Sequence, residues 1–373
     1  MHYENTQFAN LGLIGMRGGE KMAAKIDDYL SEWDVQAGGD GHSVLVEYSC
    51  PRFASGEAKG LIRQSVRGYD LYILADVFNY GITYTMYGMD VPMSPDDHFQ
   101  DLKRIIAATN GKARRITVIM PLLYEGRQDR RFNRESLDCA LALKELTAMG
   151  VENIITFDAH DARVQNAIPL SGFENIQPSY QMIRALVNTN KGLIINKDNM
   201  MVVSPDEGGM ARCIYYAAVM GLELGMCYKR RDYAQIVNGR SPIVSHEFLG
   251  GTLDGRDVIL IDDIIASGES ILTVVGDLKR RGAARVFVFA TFGQFCAGLD
   301  HYDKAYEDGL IEQVYTTNLI YQPPELLERK WYTSVDMSKF IAYIISTLNY
   351  DRSLSALLDP SAKIDKVLGA AKK

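Results

Sequence analysis

Cysteine is scarce in this chain. There are five in 373 residues, at 50, 139, 213, 227 and 296, with no CxxC and no Cys/His spacing suited to a metal. A count so sparse and odd excludes a disulfide-built scaffold and suits reduced thiols in the cytoplasm. Long apolar runs are missing too: no stretch approaches the ~20 residues needed to cross a bilayer. The opening MHYENTQFANLGLIGMRGG lacks the basic-then-apolar layout of a secretory signal. A cytoplasmic location without a membrane partner is therefore expected. Positive charge is in deficit, with 40 Lys and Arg against 47 Asp and Glu, a net −7. That balance argues against a nucleic-acid partner, although a local basic patch can still bind phosphates.

What remains is an ordinary globular composition, 47% apolar and 23% charged. At roughly 150 residues per domain the length implies two domains. Short apolar strands at Leu71–Leu74, Arg115–Met120, Asn153–Phe157 and Met200–Val203 alternate with amphipathic helices. Two more follow at Val258–Ile261 and Arg285–Ala290. This alternation predicts an α/β fold, each domain a mainly parallel sheet flanked by helices. The helices are placed at Leu137–Met149, ended by Gly150, and through Ile271, Leu272, Val275 and Leu278, ended before Gly282. The stretches 143–160 and 277–293 both read helix, glycine, turn, strand, which raises an internal duplication beside the chance likeness of two βα units. Two segments read as insertions or mobile loops: Asn79–Pro95, rich in aromatics and glycine, and Asp232–Gly255.

The sharpest signal is VILIDDIIASGES, residues 258–270. An apolar strand delivers Asp262 and Asp263, and the small-residue loop Ala266, Ser267, Gly268, Glu269, Ser270 opens a helix. Amides and hydroxyls at a helix start cradle phosphate, while carboxylates suit sugar hydroxyls. Together they describe a sugar-phosphate site at the carboxyl edge of a sheet. The plain alternative is an acidic strand end with a capped helix. Elsewhere, Arg127 and Gln128 follow a strand, where a guanidinium can grip phosphate oxygens in pairs. His160 and Asp206 also stand at strand ends, the latter before a Gly-Gly turn that lets a ligand approach the backbone. Lys229, Arg230 and Arg231 cluster at the entrance to the second loop, a solvated strand end or a lid carrying charge. Phe53, taken alone, reads as a strand aromatic.

The strand, acid pair and loop resemble the sugar-phosphate loop of the type I phosphoribosyltransferase fold. GRQDRR (126–131) with RES (134–136), FDAH (157–160), SPDEGG (204–209) with Arg212, KRR (229–231), RFASGE (52–57) with SVRGYD (65–70) and LNYDRSLSALL near the end fall in one order. That order is similar to the ribose-phosphate diphosphokinase (phosphoribosyl-diphosphate synthetase) family. The resemblance implies two tandem phosphoribosyltransferase type I-like domains: 1–178 on the ATP side, 179–345 on the ribose 5-phosphate side, and a C-terminal helix and tail over 346–373. It assigns Arg127, Gln128 and Asp129 to ATP, and Phe53, Ser55, Gly56 and Glu57 to its adenine in a neighbouring subunit's site, which implies a homo-oligomer built from dimers. It gives His160 and Asp206 to Mg²⁺, Asp262 and Asp263 to the ribose hydroxyls, and residues 266–270 to the 5-phosphate. Lys229 and Arg231 match the catalytic pair, with Arg231 also on the sugar phosphate side. The implied partners are ATP and ribose 5-phosphate, and the implied reaction is diphosphoryl transfer to the sugar's 1-hydroxyl.

Departures mark a divergent member. Ala266 stands where the family has a third Asp and Glu269 where it has a second Gly. Ser55 replaces a common Asp, and Phe292 a His. Two other readings stand beside the first: a non-catalytic regulatory paralogue, and a phosphoribosyltransferase that consumes the diphosphate.

Overall fold

The computed structural model describes residues 7–231 and 243–371. The chain forms two compact units. One runs to Gln177 and recruits Leu319–Tyr321 and Asp336–Leu358; the other takes Pro178–Asn318, Gln322–Val335 and the stretch from Asp359 on. The segment 346–373 is thus shared between them.

In the first unit five parallel strands lie in the order Leu11–Gly15, Asp70–Leu74, Arg115–Ile119, Asn153–Phe157, Gly172–Ile176. On the outer side of the first strand, Leu13 makes a parallel bridge to Leu45. Every residue of Asp70–Leu74 and Arg115–Ile119 is buried, as apolar strands covered on both faces must be. The helix Ser338–Asn349 belongs here because of a buried polar knot. Arg115 donates to both oxygens of Asp70 at 2.8 and 2.7 Å and to Leu348 O at 2.8 Å, and Asn349 donates to Asp70 at 3.0 Å. Likewise Asp76 accepts from the amides of Phe78 and Tyr321 at 3.0 and 2.7 Å, tying down the short returning segment.

The second unit's sheet has the order Ile243–Leu249, Glu223–Arg231, Met200–Ser204, Asp257–Ile265, Val286–Gly293, Gln313–Thr317, Tyr332–Val335. All pairings are parallel except that of the first two strands. From Met200–Ser204 the chain goes first to one side and then back to the other. The first unit does the same around Leu11–Gly15, so both sheets reverse direction after their first strand.

That shared topology corrects the duplication as read from sequence. Counted from the reversal, Asn153–Phe157 corresponds to Gln313–Thr317, and Val286–Gly293 to Arg115–Ile119. The sequence echo of 143–160 with 277–293 is out by one strand-helix step. Successive βα units look alike locally, and only strand order tells them apart. The two segments read as loops are corrected as well. Within Asn79–Pro95 lies an antiparallel hairpin, Thr83–Met86 with Met89–Pro92. It leads into Pro95–Ala108, a helix opened by a reciprocal Ser94–Asp97 capping box. Of Asp232–Gly255, Ile243–Leu249 is a strand, while 232–242 lie outside the described residues.

Candidate active site

The reversal in the second unit falls between Met200–Ser204 and Asp257–Ile265, and open parallel sheets bind ligands at such a point, beyond the strands' carboxyl ends. The loop after Met200–Ser204 is built around Asp206. Its Oδ1 accepts from the amides of Gly208 and Gly209 at 2.9 and 3.2 Å, and Ser204 Oγ donates to its carbonyl at 2.7 Å. Gly209 has no room for a side chain: a Cβ there would stand 2.9 Å from Ser204 Oγ. The carboxylate is exposed. The next helix, Met210–Met220, brings Arg212 to 3.9 Å from Asp263.

Asp262 and Asp263 lie inside their strand, which runs on to Ile265 alongside Val286–Gly293. Asp263 is buried and Asp262 half-buried, with the Asp263 amide donating to Asp262 Oδ1 at 2.9 Å. Burial, and then the charge of Asp263, push the Asp262 carboxyl well above the ordinary carboxylate range; Arg212 opposes this more weakly. Two adjacent carboxyls of this kind favour hydroxyl donors or a cation.

The loop that follows fits an anion. The amides of Gln294 and Cys296 donate to Ile265 and Ala266 carbonyls, each at 2.8 Å, fixing its base to the neighbouring strand end. Gly268 has a left-handed φ of 87° and starts the helix Glu269–Arg280 without a side-chain cap, although Ser267 and Ser270 flank it. The first-turn amides of that helix thus lack a capping side chain, the arrangement that receives phosphate. Ser267, Glu269 and Ser270 are exposed and Ala266 half-buried. The Glu269 charge is therefore screened by solvent, while Phe292 is wholly buried in its strand, an apolar core position.

Lys229 and Arg231 lie at the end of strand Glu223–Arg231, opposite His246 and Ile243, with a register shift between Arg230 and Arg231. Their side chains lie outside the described residues.

In the first unit Phe53 sits on a tight turn. Its carbonyl accepts from the Gly56 amide at 2.9 Å and its amide donates to Glu57 O at 2.7 Å. Gly56 has a φ of 92°, and Ser55 Oγ donates to Glu57 at 2.8 Å. Beneath it, buried Arg52 pairs with Asp101 at 3.0 Å and Asp97 at 3.6 Å, donates to Gly56 O at 3.3 Å, and faces the Tyr84 ring at 4.6 Å. Phe53 is left 54% exposed, an apolar ring available to stack. The neighbouring hairpin closes on this turn through a Tyr87 amide donating to Ala54 O at 2.8 Å. Sequence reasoning missed that support, because nothing local links residue 87 to residue 54.

Arg127 is exposed. Gln128 uses its Nε2 within the loop, donating to Ser136 O at 3.0 Å and Arg130 O at 3.4 Å, so it shapes the loop. Asp129 is 3.8 Å from Arg130, its side chain largely buried. His160 is exposed after a sharp turn in which Asp158 takes a φ of 42° and the Ala159 amide donates to Asn175 at 2.9 Å. His160 belongs to the first unit and Asp206 to the second. Among the described residues no group of three or more His, Cys, Asp or Glu side chains could hold a metal. An exposed Asp206 carboxylate nevertheless fits Mg²⁺, which prefers few protein ligands supplemented by phosphate oxygens and waters.

Residues 11–150 match the N-terminal domain of ribose phosphate pyrophosphokinase, and 199–359 the phosphoribosyl synthetase-associated domain. A ribose-phosphate pyrophosphokinase of Parasynechococcus marenigrum is 31% identical over 274 residues, 73% of this chain and 74% of that protein. One from Vibrio parahaemolyticus is 28% identical over 319 residues, 84% of this chain and 92% of that one. The crystal structure of phosphoribosylpyrophosphate synthetase from Mycobacterium smegmatis has the same fold, with a TM-score of 0.72 over 92% of this chain and 99% of that one, at 21% identity. Two matched domains in sequence order, a shared fold and a relative alike over most of its length lead to one conclusion: the chain belongs to the ribose-phosphate pyrophosphokinase family.

Proposed function

We propose that the chain transfers the diphosphoryl group of ATP to the 1-hydroxyl of ribose 5-phosphate, giving 5-phosphoribosyl 1-diphosphate and AMP. The observation that carries this reading is the second unit's reversal point, where an acid pair and a helix start without a side-chain cap meet on one strand and loop.

In this reading the amides and hydroxyls of residues 266–270 hold the 5-phosphate, and Asp262 and Asp263 accept hydrogen bonds from the ribose hydroxyls. The bound sugar presents its 1-oxygen to the β-phosphorus of ATP. A bond forms between them as the β-phosphorus separates from the oxygen it shares with the α-phosphate, which leaves with AMP, and the 1-hydroxyl gives up its proton to solvent. Alignment and charge stabilisation supply most of the catalysis in such a displacement. Lys229 and Arg231 oppose the negative charge that builds on the migrating group. Phe53 stacks on adenine with Ser55, Gly56 and Glu57 beside it, and Arg127, on the loop shaped by Gln128 and Asp129, grips the nucleotide's phosphates. Asp206 and His160 would hold Mg²⁺, which neutralises phosphate oxygens when bound. The working form is a cytoplasmic homo-oligomer built from dimers, the Phe53 turn of one copy serving the sugar site of another.

The test is AMP release by the purified chain with Mg²⁺, ATP and ribose 5-phosphate. AMP that appears only when both substrates are present supports the reading. Sugar binding without AMP supports a regulatory paralogue, and diphosphate release that needs a nucleobase supports a phosphoribosyltransferase.

A further inference from the structure

Tyr302 lies directly beneath the phosphate loop. It is wholly buried in helix Asp300–Glu307, stacked on Trp331 with ring centres 5.3 Å apart and set edge-on to Phe295 at 5.2 Å. Its ring fills the place a side chain at residue 268 would need: a Cβ on Gly268 would fall 2.4 Å from Tyr302 Cε2 and 2.8 Å from its hydroxyl. That contact, together with the left-handed backbone, explains why position 268 is glycine. Among the described residues the hydroxyl has no hydrogen-bond partner. Buried tyrosine hydroxyls ordinarily find one, and Tyr332, in the same aromatic cluster, does: its hydroxyl meets Thr316 at 2.6 Å and Gln322 at 2.5 Å. A group left unpaired beneath an anion-binding loop, and close enough to Asp262 to feel its charge, is costly in the free chain. It gives no return there.

We infer that Tyr302 is a positioning residue for the sugar phosphate, its hydroxyl gaining a hydrogen-bond partner in the 266–270 loop when that loop closes on the phosphate group. The inference rests on the reading of this loop as the sugar-phosphate site, and it adds a residue outside the loop itself. The unpaired hydroxyl destabilises the empty state and is relieved in the occupied one, so part of the affinity comes from that difference.

Two variants of the full chain test this, Tyr302→Phe and Tyr332→Phe, each removing one oxygen. Ribose 5-phosphate affinity is measured by calorimetry, and the melting temperature without ligand. Tyr302→Phe is expected to weaken ribose 5-phosphate binding about tenfold while raising the ligand-free melting temperature by about 2 °C. Tyr332→Phe, which loses paired bonds, is expected to lower the melting temperature and leave affinity unchanged. Opposite signs for Tyr302 are what a merely structural hydroxyl does not produce. Unchanged affinity in Tyr302→Phe, with the wild-type chain binding normally, overturns the inference alone. A wild-type chain that does not bind ribose 5-phosphate overturns the functional reading and the inference with it.

Discussion

Arg212 reaches to 3.9 Å from Asp263, yet burial and Asp263 still outweigh it in setting the proton affinity of Asp262. Asp262 is thereby held toward its protonated form.

Since the folded chain keeps Asp262 protonated to higher pH than the unfolded chain does, this group contributes stability at low pH that is lost as pH rises through its folded pKa. Sugar binding runs the other way, because the ionised carboxylate is the acceptor. The KM for ribose 5-phosphate should therefore rise on acidification, with a midpoint well above the ordinary carboxylate range. In Asp263→Asn that midpoint should move down, since the like charge is gone. A pH profile of KM for both proteins checks this; coincident midpoints would reject the coupling.

Asp70 and Arg115 form the knot that fastens the returning helix. Asp70→Asn takes from a buried guanidinium its paired carboxylate, leaving only the exposed Asp351 at 3.7 Å, and should cost about 3 kcal/mol of stability. Urea denaturation reads it directly. A loss below about 0.5 kcal/mol, the size of an exposed pair, would mean that the helix docks by apolar contacts alone.

Arg52 supports the Phe53 turn from below. Arg52→Ala should raise the KM for ATP about tenfold, the loss of roughly 1.4 kcal/mol of charged hydrogen bonding, and leave the KM for ribose 5-phosphate unchanged. Steady-state kinetics with each substrate varied in turn separate the two. Equal effects on both substrates would assign Arg52 to folding alone.

Lys229→Ala should reduce kcat at least a hundredfold, about 3 kcal/mol of transition-state stabilisation, with the melting temperature unchanged. Intact turnover would remove the strand end Glu223–Arg231 from the chemistry.

Which of these features the sequence displays depends on whether their causes are contiguous in the chain. VILIDDIIASGES is contiguous, so its strand, acids and loop were all legible, as were the fully buried strands Arg115–Ile119 and Met200–Ser204. The hairpin Thr83–Pro92 was not: its strands are four residues each with several side chains exposed, so the alternation of Thr83–Met86 is too short to stand out, and a bond from Tyr87 to Ala54 helps to order it. Edge strands such as Gly172–Ile176, half-buried along most of their length, gave equally little signal. The Asp70–Asn349 contact joins residues far apart in sequence, so the docking of the C-terminal helix onto the first unit left no local signal. Tyr302 carried no sequence signal at all, since its significance comes from Gly268 packing over it.

The most direct measurement is ³¹P NMR of the chain turning over with Mg²⁺, ATP and ribose 5-phosphate. The account predicts stoichiometric growth of AMP and of a diphosphate bonded to the sugar's 1-oxygen, with no ADP. Growth of ADP, or an ATP spectrum unchanged while ribose 5-phosphate is bound, would contradict it.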